Sequence, residues 1–291
     1  MQKRLPMLLV LVLLLSAKGW CTTPTVRDSL LRRNNPVIQS FDSLALLSVG
    51  NGGFALSVDP TGLQTFAERY GKGDELGTKA SWASGPLGII GFEFPSSLKI
   101  SDFEGLSQTL MLSSGIVKSS YTLQSTPVEV LTAVHPKRDI VASHIKSGQP
   151  IPIKLCFPHA AARGSHHTIL LAKRNNAAVF KHTDKGESYY VMLQWQGNVS
   201  IAKKSANHYV ITPESGHFAF TCEYLQHFAT TLNDRVLPTF KEVAKQSAEA
   251  WSRHWSGDCI KTLADSTHLY TRDQEHRLMI DSYNAAVYTA E

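Results

Sequence analysis

The chain has only four cysteines, Cys21, Cys156, Cys222 and Cys259, and none stand at Cys-x-x-Cys spacing. That spacing excludes the usual knuckle of a zinc site. No Gly-x-Ser-x-Gly elbow is present, so a hydrolase triad of Ser48, His135 and Asp139 has no support. His135-Pro136 reads instead as a turn. His159, His166 and His167 lack both regular ligand spacing and a nearby acid cluster. They read as a solvated loop, and no metal or other cofactor is expected. There is no internal repeat. Charge of one sign is also scarce. The formal +5 falls to about +2 once Lys3, Arg4 and Lys18 are set aside. The pairs Arg32-Arg33, Lys173-Arg174 and Lys203-Lys204 are scattered and read as solvated faces. Nothing in this balance asks for nucleic acid or a membrane surface as partner.

One long apolar run exists, Met7 to Leu15, behind Lys3 and Arg4 and ahead of the small residues Ala17 and Gly19. That order is a secretory signal, assigned to residues 1–19, and it predicts a periplasmic or secreted protein. The run falls short of the about 20 residues that span a bilayer, so no membrane association is expected after cleavage. Trp20 before Cys21 argues against a lipid anchor. In an oxidising compartment, Cys156 and Cys222 form either a disulfide or two buried thiols in strands.

Thr22 to Ser43 is polar and predicts an extended crossing of the surface. From Leu44 to about Leu225 the pattern is strand after strand. Alternation is clear at 128–134, 140–145, 151–157, 189–195, 208–212 and 217–224. Turn residues separate these runs at His135-Pro136, Ser147-Gly148, Asp184-Lys-Gly186, Gln196-Gly-Asn198 and Glu214-Ser-Gly216. Many short strands with regular turns predict a mainly β, antiparallel sandwich, larger than an immunoglobulin domain and assigned to residues 22–235.

Then the period changes. Thr239 and Glu242 stand at capping-box spacing, and Phe240, Val243, Ala244, Ala248, Trp251 and Trp255 form one helical face. This helix and the irregular stretch after it make a linker, 236–270. A second helix starts at Thr271, capped by Gln274, with the stripe Met279, Tyr283, Ala286, Val287 and Ala290. No Gly, Asn or Pro closes it before Glu291. Residues 271–291 therefore read as the start of a truncated helical domain, whose stripe is expected to be poorly packed, or mispacked against the sandwich or a neighbouring copy.

The segment Leu47 to Trp82 carries Ser48-Val-Gly-Asn-Gly52, Asp59, Gly62-Leu-Gln-Thr-Phe66, Gly77-Thr78 and Trp82. Val134-His-Pro136, Asp139-Ile-Val-Ala142, Tyr189 to Trp195, Phe218 to Cys222 and Trp251 to Trp255 follow. Together they resemble the N-terminal region of exported bacterial proteins of the six-hairpin glycosidase superfamily, relatives of disaccharide phosphorylases and inverting α-fucosidases. The resemblance implies an antiparallel β-super-sandwich, a linker helix and the first helix of an otherwise absent (α/α)6 toroid. It implies an exported enzyme that cleaves oligo- or polysaccharide, as a glycoside hydrolase ahead of a phosphorylase, with the missing C-terminal toroid as partner domain. The alternative is a stand-alone carbohydrate- or protein-binding sandwich. Ser256-Gly-Asp-Cys-Ile260 matches the family's acidic, glycine-rich sequence only loosely.

Glycoside cleavage needs a carboxylic acid facing a second carboxylate across the sugar, about 6.5–9.5 Å apart in inverting enzymes. The resemblance puts the acid in the toroid, so no catalytic residue is assigned here, and the chain alone is expected to be inactive. Glu68, Asp74 and Glu75 read as loop charges in water. The resemblance does imply a loop leaning toward substrate, for which the candidates are Asn51, Gln64, Thr65, Phe66 and Trp82. The competing reading gives Phe66 and Trp82 to packing and Gly50-Asn51-Gly52 to a tight turn. Asn198-Val-Ser200 is a glycosylation sequon only in a eukaryotic secretory pathway.

Overall fold

The computed structural model of the protein describes residues 26–41, 46–70, 77–85, 87–157, 167–184, 186–228, 231–256 and 270–288. The expected signal peptide, Cys21, Asp74, Glu75, His159, His166, Cys259 and Ala290 lie outside the described residues.

Among the described residues, sixteen strands form three antiparallel sheets. The largest has nine. Its spatial order is β1 (Val37–Ile38), β6 (Phe103–Met111), β7 (Ile116–Leu123), β8 (Thr126–Val134), β9 (Ile140–Ser147), β16 (His217–Leu225), β13 (Glu187–Trp195), β12 (Ala177–Asp184) and β11 (His167–Arg174). The second runs β14 (Val199–Ser205), β15 (His208–Pro213), β10 (Ile153–Cys156) and β5 (Ile89–Phe92). The third is small: β2 (Leu47–Gly50), β3 (Phe54–Val58) and β4 (Thr78–Ala80). The turn signals read from the sequence fall between consecutive strands or, at Ser147 and Asp184, on a strand's last residue. The mainly β, antiparallel sandwich expected from the alternation is the observed fold.

Alternation decides which face each side chain takes. On β12, Ala178 and Phe180 join the main core between the sheets. Ala177 and Val179 point the other way, into a second cluster with Met192, Ile140, Leu232, Leu237 and Val243. The middle of the nine-stranded sheet is therefore buried on both faces. Fully burying such a Val, Leu or Phe contributes about 1.5–3 kcal/mol over leaving it wet. Its outer cover comes from the segment around Leu232 to Leu237 and from helix α2, Phe240–His254.

The α2 capping box forms as read. The Thr239 amide donates to Glu242 Oε2 at 2.7 Å, and the Glu242 amide donates to Thr239 Oγ1 at 3.4 Å. Trp255 Nε1 donates to the Leu112 carbonyl at 2.6 Å, and Ser247 Oγ to that of Ser114 at 2.8 Å. Both contacts dock α2 on the β6–β7 hairpin. Gly115 in that hairpin has φ +62°, and a Cβ there would sit 1.9 Å from Trp251 Nε1. Only glycine suits both demands.

Two expectations are corrected. The segment expected to be extended holds a two-turn helix, α1, Val26–Arg33. Asp28 in its first turn and Arg32 and Arg33 in its last suit the helix dipole, while Leu30 and Leu31 are buried in the core. Its overall polarity hid this pair of leucines. The last helix, α3 (Arg272–Tyr288), is also not left uncovered. Met279, Tyr283 and Val287 are fully buried. Tyr283 stacks on Trp251 with ring centroids 4.3 Å apart, and its hydroxyl donates to the Ser48 carbonyl at 3.0 Å. β2 lies so close that a Cβ on Gly50 would meet Val287 Cγ1 at 2.9 Å.

Of the two readings for the cysteines, the thiol one applies. Neither Cys156 nor Cys222 is in a disulfide. They lie in different sheets, Cys156 on β10 and the buried Cys222 on β16.

Candidate functional site

The five residues expected near substrate fall into two groups. Gln64, Thr65 and Phe66 lie in the turn after β3, against β5. Gln64 is fully buried. Its amide donates to the Ile90 carbonyl at 2.8 Å, and its Oε1 accepts from the Ile90 amide at 3.1 Å and from Thr78 Oγ1 at 3.2 Å. Thr65 Oγ1 accepts from the Phe92 amide at 3.1 Å and shares a 2.6 Å hydrogen bond with Thr61. Asp59 anchors the turn. Its carboxylate accepts from the Thr61 amide at 2.9 Å, Thr61 Oγ1 at 2.6 Å and the Phe66 amide at 2.7 Å. Burial pushes the Asp59 carboxyl up to about 6 despite those donors. Phe66 sits edge-on to Phe41 and Phe103, with Phe94 stacked 6.5 Å away. In this position Gln64 and Thr65 turn no polar group toward solvent.

Asn51 and Trp82 form the second group, brought together by the loop from His135 to Asp139. Asn51 Oδ1 accepts from the amides of Gly53 and Phe54 at 3.0 and 2.8 Å, closing the β2–β3 turn. Its Nδ2 donates to the carbonyls of His135 and Arg138 at 2.9 and 3.1 Å. The side chain is thus spent on joining two loops. Trp82 is half-buried, and its Nε1 donates to Asp139 Oδ2 at 2.7 Å. Tyr189 lies beside it, with centroids 6.3 Å apart.

The loop that carries Asp139 is itself fixed. His135 Nδ1 accepts from the amides of Lys137 and Arg138 at 3.0 and 3.1 Å. Arg138 and Arg235 hold the two oxygens of the buried Glu223 at 2.8 and 2.7 Å. The Asp139 carbonyl accepts from the Tyr224 amide at 2.9 Å. Burial pushes the Asp139 carboxyl above its ordinary value, the Trp82 donor opposes that, and the negative Glu223 adds to it. Burial likewise lowers His135, with nearby Arg138 reinforcing it.

This corner offers a held aromatic ring beside a carboxylate and its loop. Trp82 suits an amphipathic ring such as a sugar, with an apolar face and polar edge. It does not offer a pair of opposed carboxylates, because Glu223 is buried and engaged on both oxygens by arginines. Among the described residues no group of three His, Cys, Asp or Glu side chains could hold a metal ion. Arg138, Glu223 and Arg235 carry no signal in the sequence, and Asp139 stands out there only in an unsupported triad and a resemblance motif. The Asp139-Ile-Val-Ala142 run was visible, but no spacing rule links Trp82 to a residue 57 positions away.

No protein-family model matches the chain, and no curated protein sequence matches it. Solved structures do. A bacterial glucoamylase complexed with acarbose matches with TM-score 0.51 and 12% identity, covering 78% of this chain and 40% of its own. The chain shares its fold with the part of that glucoamylase it covers. A protein named as a kojibiose phosphorylase from the human microbiome matches at TM-score 0.40 and 10% identity, over 86% of this chain and 37% of that one. A family GH92 α-mannosidase from Bacteroides thetaiotaomicron matches at 0.37 and 8%, over 87% and 37%. The chain spans 37–40% of the length of these solved chains.

Proposed function

We propose that the chain is the non-catalytic N-terminal domain of an exported glycoside hydrolase, and that its Trp82–Asp139 corner touches carbohydrate. The observation that carries this reading is the half-buried Trp82 indole, fixed by Asp139 within a frame that Asn51 and Arg138 complete. The fold shared with the glucoamylase supports it, as does the chain's share of that protein's length. The apolar run from Met7 to Leu15 supports export to the periplasm or beyond. In this reading the acid and base for hydrolysis come from a C-terminal (α/α)6 domain, and the chain alone turns nothing over. Assay of the purified chain on a broad aryl-glycoside panel tests this. No turnover is expected, and turnover abolished by replacing one of the chain's own carboxylates would overturn it.

A second reading, a stand-alone carbohydrate- or protein-binding sandwich, draws support from the full burial of Met279, Tyr283 and Val287. The gene separates the two. A reading frame running several hundred residues past Glu291 in helical hairpins favours the enzyme, and a stop there favours the binding module.

A further inference from the structure

Away from Trp82, a cleft of about 510 Å³ opens where the nine-stranded and four-stranded sheets meet. Its lining includes Phe94, Glu93, Gln124, Thr126, Gln149 and Lys204. None of these belongs to the corner described above. The volume lies within the range of about 300–1,000 Å³ typical of small-ligand sites.

Three observations describe what the cleft suits. Phe94 is half-buried and held by Phe92, stacked 5.4 Å away, and by Phe103, edge-on at 5.8 Å. It is thus a rigid aromatic surface at the cleft, which Phe66 supports from behind rather than lining it. The charges cancel locally. Glu93 pairs with Lys204 and with His208, the latter at 3.1 Å. Burial pushes the Glu93 carboxyl up, but Lys204, His208 and Lys154 outweigh it and hold it below its usual value. A charged ligand would have to displace this pairing, whereas an uncharged one would not. The remaining polar groups are amides and hydroxyls: Gln124, Gln149, Thr126 and Ser147. Prolines 95, 150 and 152 stiffen the lining.

The third observation is the β7–β8 turn. Leu123 pairs with Thr126, leaving Gln124 and Ser125 as a two-residue hairpin loop with φ +47° and +64°. Such a turn favours Asn-Gly because both positions need positive φ. Gln-Ser is the more strained choice, and one of its side chains, Gln124, lines the cleft. Strain kept at a cleft points to a role for the side chain that causes it.

We infer that this cleft is a second carbohydrate site, taking an uncharged oligosaccharide across Phe94 with Gln124 and Gln149 bonding its hydroxyls. It goes beyond the contact proposed at Trp82 and does not depend on it. Amide chemical-shift mapping of the isotope-labelled chain with maltohexaose, cellohexaose, xylohexaose and mannohexaose tests it. At least one sugar should shift Glu93, Gln124, Ser125 and Gln149, and still do so in Trp82→Ala. The double variant Gln124→Asn, Ser125→Gly relieves the turn, so it should fold, with a Tm higher by about 2–4 °C, and bind that sugar at least tenfold more weakly. Undiminished affinity in the double variant would overturn the inference. So would shifts confined to residues around Trp82, no shift with any sugar, or shifts from a proline-rich decapeptide alone. Loss of binding at Trp82 with the cleft shifts intact would count against the proposed function and leave this inference standing.

Discussion

Gln64–Phe66 and Ser81–Trp82 look alike on paper: each joins a polar residue to an aromatic one beside a short strand. The fold uses them oppositely. β5 runs alongside the first segment and donates to Gln64 Oε1 and Thr65 Oγ1 through the Ile90 and Phe92 amides, leaving only the buried Gln64 Nε2 without a partner there. Trp82 leaves its strand, stays half-buried and is held by a single carboxylate. What separates them is the neighbouring backbone, since a buried polar group must find a partner inside. The first segment acts as a structural knot, and the second remains available at the surface.

If that contrast is right, damage to the knot appears in stability and damage to the corner in binding. The largest effect is expected at Asp59. Asp59→Ala strands the Thr61 and Phe66 amides and should cost about 3 kcal/mol or more, read from urea unfolding. Asp59 also sets a pH dependence. Its folded pKa of about 6 lies above the unfolded value of roughly 3.9, so the native state holds this proton more tightly. The contribution is complete below about pH 4 and is lost as pH rises through 6, by as much as roughly 3 kcal/mol. Asp59→Asn should remove that slope relative to the parent protein. Thr65→Val leaves the Phe92 amide without its acceptor and should cost about 1–2 kcal/mol. None of these should change carbohydrate affinity once the protein is folded.

Asp139→Ala is the reverse case. It should cost only about 1 kcal/mol of stability, alter Trp82 fluorescence and weaken carbohydrate binding by roughly tenfold. An Asp139 variant that loses stability like Asp59→Ala while binding as before would erase the distinction between the two segments.

The fold was legible where local and tertiary demands agree. Alternation at 128–134 and 217–224, and turns such as Gln196-Gly-Asn198, mark real strands because each strand has a buried face and each turn an exposed one. Both capping boxes were legible because their partners lie three residues apart; the Thr271 amide does donate to Gln274 Oε1, at 2.9 Å. What depended on distant partners was not legible. α1 is helical because of two buried leucines in a polar segment. Gln64 is internal because β5 passes it, and Asp139 matters because Trp82 reaches it. The same holds for α3, whose stripe looked uncovered only because β2 and Trp251 lie far away in sequence.

One contact closes the molecule on itself. Glu275 on α3 accepts from Arg33 Nε at 2.8 Å and from Asn34 Nδ2 at 2.5 Å, both at the end of α1. The Arg33 hydrogen bond holds the Glu275 carboxyl below its usual value, with burial pulling the other way and the Asn34 hydrogen bond adding to the lowering. The partners stand 242 residues apart. A ribosome adding about 5–20 residues per second therefore takes between about 12 and 50 seconds to deliver Glu275 after Arg33 has emerged. Any part of the sandwich that folds before α3 has been made does so with Arg33 and Asn34 lacking Glu275, and the contact ties the first described helix to the last.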